Sequence, residues 1–216
     1  MAARIGVIGT GVVGKTLTAG FLKSGHPVLM GSRDQQKLSG LQSELGGALE
    51  IGSVADAVAY GDIIVFAVKG SSAEAAIQGA GPEKLAGKIV IDTTNPIADV
   101  PPVNGVLQFF TGPNDSLMER LQRTAPNARF VKAWSCVGNA FMIHPAFPSG
   151  RPTMFICGND PAAKETVRGL LTQFGWDSED MGQVESARAI EPLCQLWCIP
   201  GLRGNGWNHA FKLLKL

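Results

Sequence analysis

Apolar residues in the N-terminal half of the chain fall in short unbroken runs, and each run is followed by a stretch with helical spacing. "RIGVIG" (4–9) precedes a helix over 12–24, and "HPVLMGS" (26–32) precedes one over "RDQQKLSGLQSEL" (33–45). A short strand at "ALEIG" (48–52) leads to "SVADAVAY" (53–60), "DIIVFAV" (62–68) leads to "SSAEAAIQGA" (71–80), and "KIVIDTT" (88–94) closes the series. Runs without polar alternation indicate strands buried on both faces, and helical crossovers between them indicate parallel pairing. The pattern predicts an α/β fold with a doubly wound, mostly parallel sheet.

After "DTTNP" the periodicity lapses. "IADVPPVNGVLQFFTGPND" (97–115) is rich in Pro and Gly and reads as a long loop, the kind that often serves a site. "SLMERLQRTAP" (116–126) reads as a helix capped by Ser116, with Glu119 completing a capping box. "ARFVKAW" and "TMFICG" read as strands, and "DPAAKETVRGLLTQFG" as a helix opened by Asp160 and Pro161 and closed by Gly175. "GWDSEDMG" reads as an acidic edge strand. The rest, "QVESARAIEPLCQLWC" and "GWNHAFKLLKL", reads as helical. Residues 1–216 are thus expected to form a single domain, with 183–216 as a helical C-terminal extension.

The first strand-to-helix junction carries Gly9, Gly11 and Gly14 in GxGxxG spacing. Gly9 permits the tight turn, Gly11 lets a pyrophosphate approach the backbone, and Gly14 lets helix and sheet pack closely. The phosphates are expected at the positive end of that helix, near Thr10, Val12 and Val13. About twenty residues on, where an NAD-binding protein places an acid for the ribose, stands "GSRDQQK" (31–37). Gly31 offers room, Ser32 a hydroxyl, Arg33 a guanidinium fork and Lys37 a second cation, the set that a 2′-phosphate wants. Asp34 is expected to cap the next helix, pointing away. The cofactor expected is NADP(H) in a Rossmann-type site.

The remaining contacts are expected in loops after the strands. Ala67, Val68, Lys69, Asn95 and Pro96 are placed around the nicotinamide, and Trp134, Ser135, Cys136, Val137 and Asn139 at a second substrate. Lys69 suits a phosphate contact or an exposed position better than catalysis. No Ser–His–acid set, close carboxylate pair or metal cluster stands out, so no acid–base catalytic residue and no metal site is assigned. Hydride transfer between rings, which needs orientation and exclusion of water, fits that pattern.

A net charge of +1 and a pI near 7.7 offer nothing to recruit the whole chain to nucleic acid or membrane. No apolar stretch is long enough to span a bilayer, and no leader peptide is read at the N-terminus, so a cytoplasmic protein is expected. The four cysteines lack zinc-ligand spacing, and the Cys194/Cys198 pair suits core packing better than metal or redox work.

The motifs together resemble the NADP-dependent oxidoreductases that use the deazaflavin coenzyme F420, whose relatives include the N-terminal domains of the STEAP metalloreductases. "IGVIGTGVVGKTL", "MGSRDQQK" and "IDTTNP" fall at the family's dinucleotide motifs, and "FVKAWSCVGNA" and "MFICGNDPAAKETVRGLLTQFGWDSEDMGQVESA" resemble its later segments. The resemblance implies cofactor contacts at Thr10, Val12, Ser32, Arg33 and Lys37, a flavin or deazaflavin as small-molecule redox acceptor, and late helices that help form a homodimer. Two other expectations stay open: an imine or 2-hydroxyacid reductase, since "FAVKG" echoes pyrroline-5-carboxylate reductases, and a non-catalytic NADPH-binding module with its apolar tail as a partner surface.

Overall fold

The unbroken apolar runs become the strands β1 (Ile5–Ile8), β2 (Val28–Gly31), β3 (Leu49–Gly52), β4 (Ile63–Phe66) and β5 (Ile89–Asp92), joined by β6 (Arg129–Lys132). All pair in parallel, in the order β3-β2-β1-β4-β5-β6, with Ile5 registered against both Val28 and Ile63. The structure is a computed structural model. It describes residues 2–45 and 48–216 and, within them, all side chains but those of Gln35, Lys37 and Ser39.

Alternate strand residues point to opposite faces, and both faces are covered. On one face Ile5, Val7, Val65, Ile91 and Val131 pack with Leu17 and Phe21 of α1 (Val12–Lys23) and Val167 and Leu171 of α6 (Pro161–Gln173). On the other, Ile8, Ile64, Phe66 and Val90 meet Ala57 of α3 (Val54–Tyr60), Ile77 of α4 (Ala73–Ala80) and Leu121 of α5 (Leu117–Thr124). Between β2 and β3 the chain forms a 3-10 turn, Gln35–Leu38, and α2 (Ser39–Leu45). From β3 it crosses back to β4 on the far side of β1, so the strand order reverses between β1 and β4. A crevice opens at such a reversal.

Side-chain caps open α3, α5 and α6. Ser53 and Asp56 form a reciprocal capping box on α3, and Asp160 accepts from the Ala163 amide with Pro161 in the first turn of α6. Ser116 caps α5 through the Glu119 amide, but the expected return bond is replaced. The Glu119 carboxylate takes the Ser116 hydroxyl at 2.7 Å and pairs with Arg188, whose charge competes better than a neutral amide. Helix α1 follows Gly11 with no side-chain cap and no acid in its first turn.

In the C-terminal part both expected strands form, β8 at an exposed edge, and one expectation is corrected. β7 (Thr153–Ile156) and β8 (Asp177–Asp180) pair in parallel as a separate two-stranded sheet, joined to β6 by one antiparallel bridge, Lys132 to Cys157. The predicted helical extension ends early. It contains α7 (Ala187–Ile190) and α8 (Pro192–Leu202), but "GWNHAFKLLKL" is not helical. Gly204 and Gly206 take φ of +83° and +86°, turning the chain out of the helix. The tail then satisfies its backbone beside β7, where the Thr153 amide donates to the Phe211 carbonyl at 2.8 Å and the Leu213 amide to the Thr153 hydroxyl at 3.1 Å.

Candidate functional site

A cavity of about 560 Å³ opens at the carboxyl ends of β2, β1 and β4, where the strand order reverses. Gly9, Thr10, Gly11, Ser32, Arg33, Ala67, Val68 and Lys69 all line it, so the glycine turn and the second strand end face one space. The volume lies in the usual range for small-molecule sites.

Each glycine of the turn has a distinct role. Gly9 takes φ +122°, and a side chain there would run into the Ala67 carbonyl. A side chain at Gly14 would run into the Gly9 carbonyl, so α1 sits directly against the turn. Gly11 is the contrast: its φ of −74° suits any residue, and a Cβ built on it meets no atom within 4 Å. Its smallness keeps open space in front of the uncapped amides of α1, which is where an anion fits.

At the second strand end Arg33 is exposed on the cavity rim, and no described residue forms an ion pair with it. Ser32 is buried, and its hydroxyl is already engaged, donating to the Asp34 carbonyl at 2.7 Å and accepting from the Asp34 amide at 3.0 Å. Ser32 therefore shapes the turn that carries Arg33, rather than standing as an idle donor. Asp34 accepts from the Gln36 amide at 3.2 Å, the cap position expected for it. Gly31 lines the cavity, yet the space its side chain would fill is taken by the Ser53 carbonyl and Ala57, 2.7 and 2.8 Å from an added Cβ. Its smallness accommodates α3, which corrects the expectation that it makes room for phosphate. The Lys37 side chain lies outside the described residues.

Lys69 is tied across the rim to Asp99 on the long loop at 2.5 Å, and Ser71 donates to the same carboxylate at 3.1 Å. The Lys69 ammonium, then the Ser71 hydroxyl, hold Asp99 below the usual carboxylate range. Lys69 is thus a surface cation that anchors the loop. Val12 is 63% exposed outside the cavity, and Val13 packs on the core, so their amides rather than their side chains face the turn.

The three strand-end loops meet beside this cavity. The backbone of Gly70 lies against the Asn95 carbonyl so closely that no side chain fits, and the Asn95 amide nitrogen donates to the Ser135 carbonyl at 2.7 Å. Asn95 Oδ1 and Ser135 Oγ are both buried without a partner among the described residues, and Pro96 is buried beside them. Unsatisfied buried oxygens of this kind are uncommon and call for a donor.

The expected second-substrate set divides. Asn139 is exposed, and Ser135 presents the orphan hydroxyl. Trp134, Cys136 and Val137 belong to the core instead. Trp134 leaves β6 at φ +56°, is 1% exposed, packs edge-on to Phe21 and donates to the Met142 carbonyl at 3.2 Å. Burial pushes the Cys136 thiol up to about 12. Apolar bulk won over loop position at these three residues, a correction to their assignment as substrate contacts. In turn, sequence reasoning missed Val54, Ser71, Ser72, Ala75 and Ala76, which also line the cavity. For all but Val54, the one signal is the density of small residues around the start of α4.

Among the described residues, no group of three or more His, Cys, Asp or Glu is placed to hold a metal, and no helix is long and apolar enough to cross a membrane.

Comparison with known proteins agrees with this arrangement. A family model described as NADP oxidoreductase, coenzyme F420-dependent, matches residues 4–96. Metalloreductase STEAP3 of Rattus norvegicus is 29% identical over 97% of this chain and 41% of its own length. Metalloreductase STEAP2 of Homo sapiens is 26% identical over 88% of this chain and 35% of its own. The chain thus spans about two fifths or less of the length of these curated relatives. A crystal structure of a candidate F420-dependent NADP-reductase from Arthrobacter sp. FB24 superposes with a TM-score of 0.91 at 32% identity, over 99% of this chain and all of that one. A reductive aminase from Aspergillus terreus, 19% identical over 94% of this chain and 61% of its own, superposes with a TM-score of 0.65, a likeness of fold alone.

Proposed function

The chain belongs to the family of coenzyme F420-dependent NADP oxidoreductases, and on that premise we propose that it binds NADP(H) and exchanges a hydride with a flavin or deazaflavin acceptor. The observation that carries the reading is the single cavity joining the Gly9–Gly11 turn to Arg33. The residues present fit the dinucleotide along its length. Gly11 leaves the pyrophosphate an open approach to the amides of α1. Arg33, which forms no ion pair among the described residues, offers its fork to the 2′-phosphate. At the other end, Asn95 Oδ1, unpartnered among the described residues, matches an amide or ribose donor, and Val68 gives the cavity an apolar wall.

When bound, NADPH supplies the hydride at its nicotinamide ring. The chain's own contribution is orientation. The crowded contact of Gly70 with Asn95, and of Asn95 with Ser135, fixes the floor on which a ring would rest. Ser135, with its unpartnered hydroxyl, and exposed Asn139 are the residues left as candidates to meet an acceptor. The acceptor class rests on the family.

The test is to mix the purified chain with NADPH and either FMN or coenzyme F420 and follow the nicotinamide absorbance. The reading expects turnover with at least one of the two. Tight NADPH binding with no turnover on either ring system would overturn the acceptor assignment and leave a binding module.

A further inference from the structure

Lys132, the last residue of β6, is wholly buried, and nothing proposed above uses its charge. Its ammonium has three hydrogens and meets three acceptors: Asp92 Oδ2 at 2.7 Å, Glu191 Oε1 at 2.8 Å and the Thr94 carbonyl at 2.9 Å. Burial alone would push this ammonium down, but the Asp92 and Glu191 carboxylates outweigh it and hold the group above its ordinary value. Both carboxylates are buried too, at 0% and 1% exposure. Taking such a triad out of water is costly, and apolar substitutes of similar volume often serve stability as well or better. Stability alone is therefore a weak explanation of its presence.

What the triad holds is more informative. Asp92 Oδ1 takes the Thr94 amide at 2.9 Å and the Thr94 hydroxyl at 2.7 Å. With Lys132 on its carbonyl, every polar group of Thr94 is bound within the cluster. Glu191 closes the other side, accepting the Leu117 and Met118 amides at 2.9 and 3.0 Å, so α8 is tied to the start of α5. The next residue after Thr94 is Asn95, whose Oδ1 is buried without a partner among the described residues. A peptide plane clamped at Thr94 sets the direction in which Asn95 leaves.

We propose that Lys132 is a positioning residue for the nicotinamide end of the dinucleotide, acting through the Thr94 carbonyl to hold Asn95 in its binding orientation. This rests on the NADP(H) reading above, and the test separates the two. The probes are NADPH and 2′,5′-ADP, which carries the 2′-phosphate and adenosine but no nicotinamide, titrated calorimetrically into the parent chain, Lys132→Met and Lys132→Met/Asp92→Asn. The double variant keeps the net charge of the cluster, so it carries the test should Lys132→Met alone fail to fold. The proposal expects NADPH to bind about tenfold or more weakly in the variants while 2′,5′-ADP stays within about threefold of the parent. A melting temperature recovered in the double variant without recovery of NADPH affinity would further support it. Equal losses for both ligands mark a merely structural role and overturn it, as does unchanged NADPH affinity. No binding of 2′,5′-ADP to the parent chain would overturn the cofactor assignment, and the positioning role with it.

Discussion

Replacing Gly11 with alanine separates the cofactor site from the fold. The backbone there, at φ −74° and ψ −179°, suits alanine, and the added methyl meets no protein atom within 4 Å. Alanine is a poorer helix N-cap than glycine, by about 0.5–1 kcal/mol. The stiffer unfolded chain returns about 0.4–1 kcal/mol. The net change in stability is then within about 1 kcal/mol, or roughly 2–4 °C in melting temperature for a chain of this size. Binding is another matter, because the methyl stands in the space through which a pyrophosphate would reach the amides of α1. Losing one charge-assisted hydrogen bond costs about 1.5–3 kcal/mol, a loss of roughly tenfold to a hundredfold or more in NADPH affinity. Calorimetric titration with NADPH and a thermal melt measure the two effects. Gly14→Ala is the control, since its methyl would collide with the Gly9 carbonyl and should lower stability itself by about 1–3 kcal/mol. Gly11→Ala binding NADPH within about twofold of the parent would refute the placement of the phosphates.

Two further outcomes follow from the charges and thiols. The Arg188 guanidinium, against the opposing effect of burial, holds the Glu119 carboxyl below its ordinary value of 4.5. The stabilisation this gives is present above that value and lost as pH falls through the depressed one, so a melting series should show the parent losing its advantage over Glu119→Gln only in acid; an advantage independent of pH would contradict the pairing. Burial pushes the Cys136 and Cys157 thiols up to about 12, whereas a hydrogen bond from Cys194 lowers half-buried Cys198. Alkylation of the native protein at neutral pH, mapped by mass spectrometry, should mark Cys198 first and leave Cys136 and Cys157 unlabelled, and early labelling of Cys136 would contradict its burial.

The sheet and its crevice were legible because they depend on local signals. Runs such as "DIIVFAV" announce buried parallel strands, and Gly9 and Gly14 sit where the turn's geometry admits nothing larger. Asp160 and Pro161 marked their helix for the same reason: a cap is written within a few residues. What failed depends on distant partners. Nothing near Trp134 says that Phe21 and Phe174 will close over its ring, so its place after a strand suggested a ligand contact. The apolar tail at 206–216 has helical composition, but β7 offers it an open edge. The Lys132 cluster is the clearest case. Its members Asp92, Lys132 and Glu191 stand far apart in sequence, and no local pattern says that the fold will bury them together.

The central claim is that Arg33 receives the 2′-phosphate of the dinucleotide. The direct measurement is the dissociation constant of NADPH and of NADH for the parent chain and for Arg33→Ala. The parent should prefer NADPH, and the substitution should weaken NADPH by roughly tenfold to a hundredfold while NADH binding barely moves. Equal losses for the two cofactors, or a parent that does not distinguish them, would contradict it.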